Sequence, residues 1–127
     1  MTRKEFEELV LEKYNVSADY PFENDFVTGA FRHRGSKKWF ALAMNIGRKK
    51  LGLKGEGQID VVNLKCAPEV LESIVGIEAG VFRAYHMNKA HWLTVALDDS
   101  CDGETVSWLL DISYMLTKEK SKKKNRA

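Results

Sequence analysis

Three runs of period two constrain this chain more than any other feature. "KWFALAMNI" is apolar almost throughout, as an interior strand is. "QIDVVNL" alternates Ile59, Val61 and Asn63 against Asp60, Val62 and Leu64. "HWLTVALD" alternates Trp92, Thr94 and Ala96 against Leu93, Val95 and Leu97. Successive strand residues point to opposite faces, so each run predicts a strand with two distinct sides. Upstream, "DFVTGAFRHRGSKK" reads as a partner strand with Val27, Gly29 and Phe31 on one side, then a turn in which a glycine joins five basic residues. The glycines of "LGLKGEG" predict another turn. Strands joined by such short connections pair antiparallel.

Helices flank and interrupt these strands. "TRKEFEELVLEKY" opens with Thr2 and Glu5 in the spacing of a capping box and continues at helical period through Phe6, Leu9 and Val10, which predicts a helix from about Arg3 to Tyr14. "NVSADYPFEND" reads as a loop that tucks Tyr20 and Phe22 onto the core. "CAPEVLESIVG" predicts a short helix with Pro68 in its first turn, Gly76 at its end, and Val70, Leu71, Ile74 and Val75 as its buried stripe. "IEAGVFRAYHMNKA" reads as irregular, with room for one helical turn. A last helix is predicted from about Glu104 to Thr117, with Asp102 as its N-cap. It carries one stripe of Val106, Leu109, Leu110 and Ser113 and another of Trp108, Ile112 and Met115, a breadth that predicts a helix largely covered by the sheet. Strands follow strands and no strand–helix–strand unit repeats, so the class is α+β: a mostly antiparallel sheet packed with helices.

At 127 residues, 44% hydrophobic and 30% charged, the chain holds enough apolar material for one core without a disulfide or metal staple. A single domain over residues 1–117 is expected. Cys66 and Cys101 lie far apart and in no C-x-x-C pair, as free thiols of a cytoplasmic protein would. No charged, apolar and small-residue leader is apparent, and no apolar run approaches the ~20 residues of a membrane helix. A cytoplasmic monomer without a membrane partner is the expectation.

The net charge of +2 hides a strong asymmetry. Phe26 to Lys54 carries eight basic residues and no acidic one, whereas Met1 to Thr117 as a whole carries 14 basic and 17 acidic. The tail from Lys118 to Ala127 has six basic residues and one acidic, and a disordered, solvated end is expected there. A basic block on hairpins, inside an acidic body, points to an anionic partner.

"YHMNKAHWLTV" concentrates the polar chemistry. His86 and His91 are five residues apart, which on a helix leaves their side chains roughly 140° apart and unlike the i, i+4 pair of a zinc helix. No metal or cofactor is therefore expected. Either histidine beside Asp98, Asp99 or Ser100 suits acid–base chemistry, but no nucleophile elbow or phosphate loop accompanies them. Arg and Lys neutralise phosphates and hairpin tips reach into grooves, while Trp39, Trp92 and Tyr85 offer stacking faces or core packing.

The stretch "FRAYHMNKAHWLTVALD" resembles the signature of the MmcQ/YjbR family, through Arg83, His86, Met87, Asn88, Lys89, His91, Trp92, Thr94 and Val95. "VVNLKCAPEVLESI" resembles that family's strand and proline-started helix. "WLLDISYML", with Asp111, Ser113 and Tyr114, resembles its final helix, and "YPFENDFVTGAFRHRGSKKWFALAM" its aromatic lead-in and first hairpin. The resemblance spans about residues 1 to 117. It implies a fold related to the bacterial frataxin-like fold and DNA binding through a "double wing". Under that implication Arg32, Arg34, Lys37, Lys38, Arg48, Lys49 and Lys50 contact phosphate, and His86, Asn88, Lys89 and His91 form the polar end of a second wing. The frataxin relation also implies an iron-binding alternative, for which Glu5, Glu7, Glu8 and Glu12 crowd the first helix; a solvated helix face accounts for them equally. The alternatives to DNA are a small-molecule or enzymatic site around His86 and His91, and a protein-interaction module.

Overall fold

A computed structural model describes residues 1–118. The tail from Lys118 onward therefore lies, but for Lys118 itself, outside the described residues. The elements run α1 (Arg3–Tyr14), β1 (Gly29–Arg32), β2 (Trp39–Gly47), a short 3-10 turn (Arg48–Leu51), β3 (Gln58–Lys65), α2 (Pro68–Ile74), β4 (Val81–Arg83), β5 (Trp92–Ala96) and α3 (Gly103–Thr117). The five strands form one sheet in the order β1-β2-β3-β5-β4, antiparallel at each pairing. The class is α+β, as the strand succession requires.

All three helices pack on one face. Phe6 and Val10 of α1, Leu71 and Ile74 of α2, and Val106, Leu109 and Leu110 of α3 share a core with Phe31, Phe40, Val62, Leu64, Leu93 and Val95. The opposite face gathers Ala30, Leu42, Met44, Ile46, Ile59, Val61 and Ala96, and among the described residues none of α1, α2 or α3 joins it. Its cover comes instead from Leu51 and Leu53 of the β2–β3 connection and from Tyr85 and Met87 ahead of β5. The alternation read from β3 and β5 thus separates two apolar layers, one under helices and one under loops.

The capping box of α1 is formed, with Thr2 and Glu5 each satisfying the other's backbone N–H. At the start of β2 the pairing shifts, so that Phe31 opposes Ala41 while Arg32 opposes Trp39. The extra residue lets Phe40 and Ala41 both enter the helix-side core while Trp39 turns to the other face. Ser113 of α3 completes the interrupted ladder: its hydroxyl accepts from the Lys65 N–H at 2.8 Å and donates to the Phe40 carbonyl at 2.5 Å. The hydroxyl on the buried stripe of α3 is thus a plug at the sheet's defect.

Three expectations are corrected. Tyr20 and Phe22 do not enter the core but stay exposed. Their segment runs along the free edge of β1, where Asp19 and Ala30 exchange backbone hydrogen bonds, and Phe31 and Phe40 already fill the adjoining core. The segment read as irregular contains β4, whose three residues are too few to show a period. Trp108 and Met115 are exposed, because α3 meets β2 and β3 with one stripe only. Asp102 stands at the N-cap of α3 as expected, although its side chain makes no capping bond.

Gly80 turns the chain into β4 at φ +79°, and a Cβ there would meet Ser100 Oγ at 2.6 Å and the Cys101 nitrogen at 2.8 Å. Gly76 has the same φ with open space around it. Gly76→Ala should cost about 1 kcal/mol, the left-handed penalty alone. Gly80→Ala should cost at least about twice that in denaturant unfolding, because α3's leading loop must also shift.

Candidate nucleic-acid interface

Register locates the candidate residues. Ala41 opposes Leu64, Leu64 opposes Leu93 and Lys65 opposes Trp92. The His33–Lys38 turn and the Ala84–His91 loop therefore emerge at the same end of the sheet. Gly47 opposes Gln58 at the other end, so Arg48, Lys49 and Lys50 start nine strand residues away, about 30 Å at the usual rise. Their connection folds back over the helix-free face. Lys50 and Leu51 there reach Phe82, Arg83, Ala84, Tyr85 and Lys89, and these residues line a cleft of about 260 Å³.

The seven candidate residues of the block thus divide. Arg32 pairs with Asp19 at 2.8 Å and lays its guanidinium 5.6 Å from the centre of the Trp39 ring. Phe22 meets the same tryptophan edge-on at 5.8 Å. Arg34 donates to the Asn15 carbonyl at 2.6 Å. Lys37, at φ +67°, and Lys38 are exposed, and no carboxylate pairs with them or with Arg34 among the described residues. On the far connection, Arg48 donates to the Lys54 carbonyl and Lys49 faces Glu56 at 3.5 Å.

The motif residues mostly hold their own loop. Asn63, buried in β3, donates to the Tyr85 carbonyl at 2.8 Å and accepts the Thr94 hydroxyl. Thr94 in turn accepts the Tyr85 N–H at 2.9 Å. Two interior side chains thereby clamp both backbone groups of one loop residue. Asn88 accepts the Ala90 N–H on its side chain and the Trp92 N–H on its carbonyl, so it shapes the turn. Lys89 donates to the Ala84 carbonyl at 2.8 Å. Arg83 makes two bonds to Glu72 of α2, at 2.9 and 3.0 Å, which holds the Glu72 carboxyl below and the Arg83 guanidinium above their usual ranges. His86, at φ +61°, and His91 are exposed. The His86 ring stands 3.9 Å from that of Tyr85, and the cleft takes Tyr85 and Lys89 but neither histidine. Among the described residues no three His, Cys, Asp or Glu side chains gather as a metal site, and no helix is long and apolar enough to cross a membrane.

A family model described as YjbR matches residues 11–116. The chain belongs to the YjbR family. It is 39% identical to the Bacillus subtilis protein YyaQ over 118 residues, which is 93% of this chain and 99% of that one. It is also 39% identical to Escherichia coli YjbR over 66 residues, 48% of this chain and 56% of that protein. A crystal structure of a Pseudomonas syringae protein superposes with a TM-score of 0.88 at 36% identity, covering 93% of this chain and all of that one. A Deinococcus radiodurans protein described as a DUF419 domain shares the fold, with a TM-score of 0.68 at 24% identity over 94% of this chain and 80% of that one.

Sequence reasoning passed over two clusters in this YjbR-family protein. His33 counted only as one basic residue of a turn, yet it is 6% exposed, packs on Phe40 and Tyr114, and meets the Thr117 hydroxyl at 2.8 Å. Its neighbour across α3, Tyr14, stacks on Tyr114 and donates to Asp111, which also takes Lys13 at 2.8 Å. Burial and the Asp111 charge push the Tyr14 hydroxyl far above its usual range. Burial pulls the Asp111 carboxyl up, but the bonds from Lys13 and Tyr14 outweigh it and hold it low. Nothing local in the sequence marks His33 as buried. Asn63 did carry a signal: a polar residue in a buried strand position needs a partner.

Two outcomes follow from these contacts. Asn63→Ala should cost about 2–3 kcal/mol in chemical denaturation, since it strands the Tyr85 carbonyl and the Thr94 hydroxyl. Asn63→Ala with Thr94→Val should cost less than the two singles added, because they share one network. Burial, and then the Lys118 charge, lower the pKa of His33 below 6.5. The unfolded chain therefore binds the proton first: stability is full above about pH 6.5 and falls as the pH drops toward the lowered folded value. His33→Gln should flatten that part of the stability–pH curve.

Proposed function

We propose that the protein binds DNA, gripping backbone phosphates at the end of the sheet where the His33–Lys38 turn and the Ala84–His91 loop emerge together. The observation that carries this reading is that shared end. Arg34, Lys37 and Lys38 stand there without carboxylate partners among the described residues, and His86, Lys89 and His91 stand on the loop at the same end, with β3 between. Lys118 joins Arg34 in lining one hollow against His33, beside the hairpin. The body is otherwise acidic, which disfavours a polyanion elsewhere and orients it to this end. In this reading Arg48, Lys49 and Lys50 belong to a separate contact, because the strand length sets them at the far end and only Lys50 returns to the cleft. A small-molecule site centred on His86 and His91 fits less well, since the cleft excludes both rings.

Fluorescence anisotropy with labelled DNA across a salt series tests the reading. Affinity should fall steeply with salt, as it does when cations displace counterions from phosphate. Lys37→Glu with Lys38→Glu should weaken binding and reduce the log–log salt slope by about two. The same measurements on a variant lacking residues 118–127 separate the domain from its basic tail. No binding at low salt, or affinity indifferent to the paired lysine reversal in the tail-less variant, would sink the proposal.

A further inference from the structure

We infer that the nucleic acid this protein takes is single-stranded, with its bases stacked on Trp39, Trp92 and Tyr85 across the helix-free face of the sheet. This rests on the phosphate-binding reading above and names the form of its ligand. Helices cover only one face. On the other, alternation turns out Trp39 from β2 and Trp92 from β5, each half-buried and so partly open to solvent. Arg32 opposes Trp39 in one pairing and Lys65 opposes Trp92 in the other. Along the sheet order the hairpin end of this face therefore reads Arg32, Trp39, Lys65, Trp92, a cation beside each aromatic plane. Behind the row, Tyr85 and Phe82 line the cleft, with Lys50 and Lys89 beside them. The sole acidic residue within the five strands, Asp60, alternates to the other face, between Ile59 and Val61.

The chemistry of this row selects among nucleic acids. A duplex presents phosphates and base edges and keeps its ring faces stacked inside, so half-buried aromatic planes offer it nothing. A single strand has free ring faces, which stack on aromatic side chains with little regard to sequence, and its phosphates need a parallel track of cations. Trp39 is also held ready: the Arg32 guanidinium and the Phe22 ring both bear on it. The Asn63–Thr94 clamp fixes the loop that carries Tyr85, the third platform.

The test compares a labelled oligothymidylate with a duplex of the same length, using the protein with and without residues 118–127. The single strand should bind at least about tenfold more tightly and quench tryptophan fluorescence. Trp39→Ala should weaken single-strand binding by about ten- to a hundredfold, and Trp39→Phe, which keeps a ring in place, by much less. Lys50→Glu, an exposed change, gives a readout that does not depend on repacking and should weaken the single strand alone. Equal or tighter duplex binding, or a folded Trp39→Ala protein with unchanged single-strand affinity, overturns the inference and leaves DNA binding standing. No binding to either form overturns both.

Discussion

Asn63 and Thr94 sit at the centre of the helix-free face, and their hydrogen bonds to the Tyr85 backbone decide what that face can be. A sheet with apolar residues on both sides needs cover on both. Here the helices supply one side and two loops supply the other, and a loop brings backbone polar groups that must be satisfied if it lies on apolar residues. The amide and the hydroxyl meet that need for Tyr85, and Lys89 meets it for Ala84. Every buried side-chain polar atom among the described residues has a partner. A network that is fully satisfied in a low-dielectric interior is rigid, so the loop before β5 is a fixed part of the surface.

That rigidity changes the meaning of the family motif. Arg83 is spent on Glu72, Asn88 on its own turn, Lys89 on the Ala84 carbonyl, and Thr94 on the clamp. Four of its polar residues build the loop, and the two histidines and the adjoining aromatic rings are what the loop presents. Membership in the YjbR family is accordingly a statement about architecture first. The same logic holds at the opposite face, where Ser113 bridges β2 and β3 across the bulge.

The basic block is likewise not one surface. Strand β2 carries its two halves to opposite ends of the sheet, and four of its seven candidate residues are held by the Asp19 or Glu56 carboxylates or by backbone carbonyls. Of the other three, Lys37 and Lys38 stand on the hairpin turn, whose Arg34 lines a hollow with Lys118, and Lys50 lies at the cleft. Within an acidic body, such a local excess sets a direction of approach more than a global attraction.

The sequence by itself determined the strands, the helices and their class, because period two and period 3.6 are local signals that burial imposes on every element. It determined the capping box at Thr2 and Glu5 and the alternation of β3 and β5. It also held the family's identity, in "YHMNKAHWLTV". It was silent where distance along the chain matters. Three-residue β4 is too short for a period, and Trp108 and Met115 look buried until the single contact stripe of α3 is seen. His33 looks like surface charge until Phe40, Tyr114 and Thr117 close on it. Only the tertiary structure decided that the hairpin turn and the motif loop share one end, and that Lys50 returns to line one cleft with Lys89. Register between strands sets those neighbours, and register is a property of pairs that no single segment carries.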